Sequence, residues 1–302
     1  MKILIVGAGA VGGYFGGRLA EKGEDVTFLV RERRREQLEK SGLSIQSVHG
    51  NIDVKPKTVV SGNNPSPYDA IILSVKAYQL ESVMDSIEPY VGGETMILPL
   101  LNGMSHVDTL VDRFGEHNVI GGLCFVESTL DSEGRVVQSS PIHDVVFGER
   151  SGKKTPRILK LQDALSGTRA SFTLSETIIQ EMWHKYLFIT TLSGVTSLFR
   201  APIGPIRENK IGLSSIKNTL SEASAIMRKL GAPIADDVEA KQLEKLNSMG
   251  FEMKSSLQRD MEKKLPIEAD HLYGFLLKEA AKYDIPAQTL DVIYANLKIY
   301  ES

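Results

Sequence analysis

Near the N-terminus, Gly7-Ala8-Gly9-Ala10-Val11-Gly12 places glycine at the first, third and sixth positions of a short run. A pattern this small arises by chance. Here it follows an apolar, β-branched run over Lys2–Val6 and opens a helix-forming run over Ala10–Lys22 that Gly23 closes, the context a pyrophosphate-binding turn requires. In such a turn Gly7 permits the tight reversal, Gly9 lets backbone approach a phosphate, and Gly12 lets helix and strand pack closely. The unpaired N–H groups of the helix start then face the anion. Gly13, Gly16 and Gly17 continue inside the same helix. Each costs about 1 kcal/mol relative to alanine, so close packing is expected there. A glycine-rich turn without a phosphate, or a methyltransferase on a related α/β sheet, would show part of this pattern.

The end of the second expected strand, residues 25–30, discriminates between dinucleotides. An acid there holds a ribose 2′-hydroxyl, whereas arginine suits a 2′-phosphate. The sequence reads Leu29-Val30-Arg31-Glu32-Arg33-Arg34-Arg35. Arg31 stands where the acid would be, and a guanidinium grips phosphate through two parallel charge-assisted bonds. NADPH, rather than NADH, is the expected cofactor. Arg33, Arg34 and Arg35 each read as a solvated helix face. Lys76 and Asn102 follow two further expected strands, 68–75 and 95–100, at the carboxyl ends where open α/β sheets bind ligands.

Three groups of residues, with the glycine turn, resemble the ketopantoate (2-dehydropantoate) reductase family. They are Ser74-Val75-Lys76-Ala77-Tyr78-Gln79; Leu101-Asn102-Gly103; and, in the second half, Trp183-His184-Lys185-Tyr186-Leu187 with Ser255-Ser256-Leu257-Gln258-Arg259-Asp260 and Ile267-Glu268-Ala269-Asp270. The resemblance runs in order over nearly the whole chain. It implies reduction of ketopantoate to pantoate with NADPH, in pantothenate and coenzyme A biosynthesis. Lys185 matches the lysine that protonates the carbonyl oxygen as hydride arrives, a role for an ammonium beside developing negative charge. Taken by its type alone, a helical lysine is a solvated residue. Ser256 matches the serine that binds the substrate carboxylate. Glu268 matches a catalytic-site glutamate that also reaches the cofactor, and Lys76 and Asn102 match active-site residues near nicotinamide and substrate. Ser256 and Glu268 are twelve residues apart across Pro266, which puts them on adjacent helices. In the first turn after Pro266 the helix dipole would favour ionised Glu268, and a carboxylate near Lys185 would keep that lysine protonated.

The sequence departs from the family where the resemblance expects asparagines four and eight residues after the lysine. It has Ile189 and Ser193. Isoleucine cannot hydrogen-bond, and Ser193 offers the substrate only a short hydroxyl. Losing a polar partner for a substrate hydroxyl can cost several kcal/mol of discrimination. A different 2-keto acid is therefore an alternative substrate, and a non-catalytic NADPH-binding protein of the same fold is a third reading.

These residues need a scaffold of alternating strands and helices. Near-continuous apolar strands, with a helix over 79–87, predict a parallel sheet covered on both faces. Residues 119–147, with β-rich pieces around 131–134, predict an antiparallel extension. From about residue 175 the pattern becomes helical, in runs such as 220–230, 237–246 and 268–283, punctuated by proline. The expected architecture is α/β: a Rossmann-type NADP-binding domain over 1–174 and an all-helical substrate and catalytic domain over 175–302.

At 302 residues, 42% hydrophobic and 24% charged, the chain has the composition of a soluble globular protein. A net charge of -3 gives no reason to expect nucleic acid or an anionic membrane as partner. The apolar start breaks into glycine too soon for a signal peptide, and the later apolar run at 186–199 is too short for a bilayer. Cys124 is the one cysteine, in an apolar run, which excludes an intrachain disulfide or a zinc–thiolate cluster and reads as an inert buried thiol. A cytoplasmic enzyme acting on a small 2-keto acid is the expectation. The helical half offers apolar faces on which a homodimer could pair, although an intramolecular core explains them equally well.

Overall fold

A computed structural model describes residues 1–302, which form two compact units. Unit 1 comprises residues 1–101 and 106–178; unit 2 comprises Asn102–Ser105 and Ile179–Ser302.

Unit 1 is built from β1 (Lys2–Val6), α1 (Ala10–Lys22), β2 (Asp25–Leu29), α2 (Glu32–Ser41), β3 (Leu43–Ser47), β4 (Ile52–Val54), β5 (Lys57–Val59) and β6 (Ala70–Leu73). It continues with α3 (Leu80–Ile87), β7 (Met96–Pro99), α4 (Ser105–Phe114), β8 (Gly121–Leu130), β9 (Val136–Gly148), α5 (Pro156–Leu165) and β10 (Ser171–Leu174). The first sheet has the order β5-β2-β1-β6-β7, and every pairing in it is parallel. Residues 3–5 of β1 and all of β6 and β7 are buried. This explains why these strands read as unbroken apolar runs rather than alternating ones. The chain leaves β1 toward β2 on one side and returns to β6 on the other. The crevice beyond the carboxyl end of β1 is therefore the topological switch point of the sheet.

The second sheet is mixed. β8 and β9 form the long antiparallel hairpin expected from the sequence, with a register shift between Val126 and Ser128. β9 also pairs in parallel with β3 and β10, and β3 pairs antiparallel with β4. Residues 131–134 are the turn of the hairpin rather than strand. Asp131 Oδ1 accepts the N–H groups of Glu133 and Arg135, both at 2.9 Å, and Gly134 takes a φ of +77°.

α1 lies between the two sheets, and its glycines are the reason it can. A Cβ on Gly16 would fall 2.7 Å from the Phe28 ring and 2.8 Å from Ile5, both in the first sheet. One on Gly13 would fall 2.9 Å from Val136, and one on Gly17 2.5 Å from Ile45, both in the second. α1 thus presents a side-chain-free stripe to each sheet, and the core of unit 1 forms on both sides of it.

Unit 2 is helical: most of α6 (Ile178–Phe199), then α7 (Ile203–Glu208), α8 (Lys210–Lys229), α9 (Val238–Ser248), α10 (Ser256–Glu262), a π-helical turn at Asp270–Gly274, α11 (Phe275–Lys282) and α12 (Gln288–Glu301). α6 is buried along most of its length, as befits a central helix. Its buried hydroxyls turn inward, Thr191 donating to Leu187 O at 2.9 Å and Thr196 to Leu192 O at 2.7 Å. The Glu222 carboxylate on α8 accepts the first N–H groups of α12, from Thr289 at 3.0 Å and Leu290 at 2.9 Å, which satisfies donors that a helix start leaves open. No helix is long and apolar enough to cross a membrane.

Candidate functional site

The glycine turn occupies the switch point. Gly7 has a φ of +93°, a region that disfavours any residue with a Cβ, and its N–H bonds Leu29 O of β2 at 3.2 Å. Ser74, just past β6, holds the turn from the other side, its hydroxyl 2.9 Å from Val6 O and 3.2 Å from Gly7 O. A Cβ on Gly12 would sit 2.1 Å from both Gly7 O and Ser74 Oγ, whereas one on Gly9 would meet nothing within 4 Å. Gly12 is therefore glycine for packing, and Gly9 for the open space a ligand would approach. The N-terminus of α1 begins at Ala10, capped by Gly9, with no acidic side chain in its first turn. An open backbone, free of negative charge at a helix start, fits a pyrophosphate.

In register, Val6 of β1 faces Leu29 of β2 and Leu73 of β6. Arg31 is two residues past Leu29, exposed, and N-caps α2 with extended backbone. Lys76 is three residues past Leu73 and partly buried, at the start of a short 3-10 turn before α3. Arg33 is exposed, as expected for a solvated face, and Arg35 is half-buried and pairs with Glu32 and Glu39 on its own helix. Arg34 departs from the expectation. Its guanidinium donates to Ala8 O in the glycine turn at 3.2 Å, to Gln37 Oε1 at 2.6 Å and to Gly134 O at 3.1 Å. Burial pulls its pKa below the ordinary arginine value. Arg34 ties the phosphate turn to the β8–β9 hairpin; within a run of three arginines, only the fold distinguishes it.

In unit 2, Lys185 is 8% exposed. A lysine this buried is rare, and its neighbours in sequence hold it there. His184 Nε2 accepts the Ala235 N–H at 3.0 Å, which requires the neutral ring, and burial lowers its pKa. Tyr186 donates its hydroxyl to Leu272 O at 2.7 Å, and Tyr273 returns a bond to Thr190 O at 2.8 Å. Burial raises the pKa of both phenols, so they stay protonated donors. Lys185 is thus fixed on a helix locked to the α8–α9 loop on one flank and to the π-helical turn on the other. π-turns recur at functional sites because one extra residue re-aims the side chains beside them.

Glu268 lies just before that turn and is partly buried; its carbonyl accepts the Leu272 N–H at 3.0 Å. It stands at the threshold of the helix rather than within its first turn. Three residues on, His271 holds the Asn102 segment, with Nε2 2.6 Å from Asn102 O and Nδ1 3.1 Å from Ser105 Oγ. A carbonyl only accepts, so Nε2 carries the proton and Nδ1 accepts from the serine. Burial lowers the His271 pKa, against opposing contributions from the Asn102 carbonyl and Glu268. Gly103 has a φ of +81°, and a Cβ there would lie 2.6 Å from His271 Nε2. His271 was not distinguishable in the sequence, where it is one polar residue in a helix-forming run.

Ser256 is the first residue of α10 and is exposed, while the preceding Ser255 is buried and caps the helix, accepting the Gln258 N–H at 3.1 Å. Ser255 also bonds Thr196 Oγ1 on α6 at 2.9 Å. The two adjacent serines divide the work: one pins α10 to α6 and the other keeps its hydroxyl at the surface. Ser193 is 4% exposed and Ile189 is partly buried, both on α6 beyond Lys185. The buried Cys124 thiol points to Leu100 O at 3.9 Å.

A family model described as ketopantoate reductase PanE/ApbA matches residues 3–152, and the corresponding C-terminal model, ketopantoate reductase PanE/ApbA C terminal, matches residues 177–301. An uncharacterized oxidoreductase of Bacillus subtilis, YkpB, is 43% identical over 302 residues, which cover 100% of this chain and 99% of that protein. The crystal structure of 2-dehydropantoate 2-reductase from Geobacter metallireducens superposes with a TM-score of 0.89 at 26% identity, covering 99% of each chain. A D-mandelate dehydrogenase, in a ternary structure with NADH and anilino(oxo)acetate, has a TM-score of 0.88 at 21% identity and shares the fold over 100% of this chain and 98% of its own.

Proposed function

Because the chain belongs to the ketopantoate reductase family and is an oxidoreductase of it, we propose that it reduces a 2-keto acid with NADPH, the leading substrate being ketopantoate and the product pantoate, for pantothenate and coenzyme A biosynthesis. The observation that carries this reading is the burial of Lys185 between two anchored neighbours. Burial in a helix held on both flanks fixes where the ammonium points and keeps bulk water from competing for its protons, as a proton donor to a bound substrate requires.

Residues 1–174 serve as the nucleotide domain and residues 175–302 as the substrate domain. Gly7, Ala8, Gly9, Ala10, Val11 and Gly12 would hold the pyrophosphate on backbone N–H groups, and Arg31 the 2′-phosphate. The bound dinucleotide supplies the hydride. Lys185 donates a proton to the carbonyl oxygen as charge develops there, and it offsets that charge before the proton moves. Glu268 favours the protonated lysine. Ser256 holds the substrate carboxylate, and Asn102, Lys76 and Ser193 orient the rest. His271 is a positioning residue that holds the Asn102 segment.

A second reading keeps the chemistry and changes the substrate. It is favoured by Ile189, which has no hydrogen-bonding group, and by the D-mandelate dehydrogenase, which shows that the fold alone fixes neither substrate nor cofactor. Loss of NADPH absorbance, followed with ketopantoate and a panel of smaller and more apolar 2-keto acids, tests both. Turnover of ketopantoate supports the first reading, and turnover of the others alone supports the second. Tight NADPH binding without turnover of any of them would leave a binding protein and overturn both. A cytoplasmic homodimer is the assembly to look for when the enzyme is purified.

A further inference from the structure

Unit 2 holds a second ammonium close to the first. Lys245, on α9, places Nζ 4.4 Å from the centroid of the Phe188 ring. Phe188 follows Lys185 by three residues on α6, so the two side chains are neighbours along one side of that helix. Lys245 remains open to solvent. Burial nevertheless pulls its pKa below the ordinary lysine value, and repulsion from Lys185 adds to the effect. Like charges brought together beside a buried helix face repel each other and are stabilised when an anion binds between them. The aromatic ring offsets part of that cost without using a hydrogen-bond donor. Ile189, one turn beyond Lys185, adds an apolar side chain to the same stretch of helix.

The geometry points to Lys245 as a substrate-selecting residue: its ammonium supplies the counter-charge for the keto acid's carboxylate, beside the hydrogen bond from Ser256, leaving the Lys185 ammonium for the carbonyl oxygen. The assignment rests on Lys185 being the proton donor of a 2-keto acid reductase and adds the group that selects an anion. With Phe188 and Ile189 beside the two lysines, the accepted substrates are 2-keto acids with an apolar side chain. Neutral carbonyl compounds of the same shape are discriminated against.

The test compares the wild type with Lys245→Met and Lys245→Arg on a branched-chain 2-keto acid and on its methyl ester, by NADPH oxidation. Methionine keeps the apolar contact with Phe188 and removes the charge. For Lys245→Met, KM for the acid is expected to rise at least tenfold with kcat changed less than threefold, and KM for the ester to stay unchanged. Lys245→Arg is expected to restore most of the acid's affinity. If KM for the acid does not move, or acid and ester shift together, Lys245 has only a structural role and the assignment fails. If the wild type consumes no 2-keto acid at all, the reductase reading itself falls and takes this assignment with it. A wild type that turns over normally beside an indistinguishable Lys245→Met removes the assignment alone.

Discussion

The His271 imidazole donates from Nε2 to the carbonyl of Asn102 at 2.6 Å, joining the Asn102–Ser105 segment of unit 2 to the π-helical turn 169 residues later. The contact fixes the backbone of the segment that carries the Asn102 side chain. The carbonyl is otherwise in a tight turn at Gly103, whose backbone no L side chain adopts readily.

Gly103→Ala is expected to destabilise the protein both through its positive φ and through contact with the imidazole. His271→Ala removes the second cause and leaves the first, while itself costing about 1–3 kcal/mol for the unsatisfied carbonyl. A double-mutant cycle by chemical denaturation should therefore show that Gly103→Ala is less damaging in the His271→Ala background. Strict additivity would mean that the imidazole yields at no cost.

Lys185→Ala is expected to reduce kcat about 10²–10⁴-fold, the usual range for a general acid, with NADPH affinity nearly unchanged. Tyr186→Phe, which takes one hydrogen bond from the helix that carries Lys185, should lower kcat by a smaller factor and leave KM for NADPH alone. Stopped turnover with equal loss of cofactor binding in Lys185→Ala would instead indicate a folding defect.

Arg31→Asp exchanges a phosphate partner for a ribose-hydroxyl partner. The ratio of kcat/KM for NADPH to that for NADH should fall by more than tenfold. An unchanged ratio would place the 2′-phosphate elsewhere; Arg34 is poorly suited to replace Arg31, since each of its three nitrogens already donates, to Ala8, Gln37 and Gly134.

Acid should loosen the end of β9. Burial raises the Glu149 pKa, but hydrogen bonds from Arg157 and Thr155 outweigh it and hold the net value below the ordinary 4.5. A carboxyl group depressed in the folded state gives stability that is present above its unfolded pKa and lost as pH falls through the folded one. Thermal unfolding of the wild type should therefore drop steeply below about pH 4.5, a range where carboxylates of this kind take up protons. Glu149→Gln should melt lower at neutral pH and lose part of that slope; parallel curves would assign the acid sensitivity to other groups.

The first strand, the glycine turn and α1 were legible because each carries a local signal: an unbroken apolar run, glycine spacing, and a glycine stop. Lys76 and Asn102 were legible as strand-end residues. The role of His271 was not, because it depends on a partner 169 residues away and on no period in its neighbourhood. Arg34 was misread as solvated for a similar reason. Its partners lie in the glycine turn and in a hairpin a hundred residues on, so its sequence neighbours could not mark it out. The pairing of β3 with β9 was likewise hidden, since no local pattern in β3 points to a partner strand that begins at Val136.

The bare stripes of α1 also have a consequence for how unit 1 assembles. With no side chain to act as a spacer, neither sheet can dock on this helix a little loosely and tighten later; contact comes at full closeness or not at all. The parallel sheet cannot offer a finished nucleotide turn while the mixed sheet is still unformed, because the helix whose start makes the turn needs both walls. Truncation after β7 should yield a chain that neither folds nor binds a dinucleotide, and unit 1 should melt as one cooperative block with no half-built intermediate.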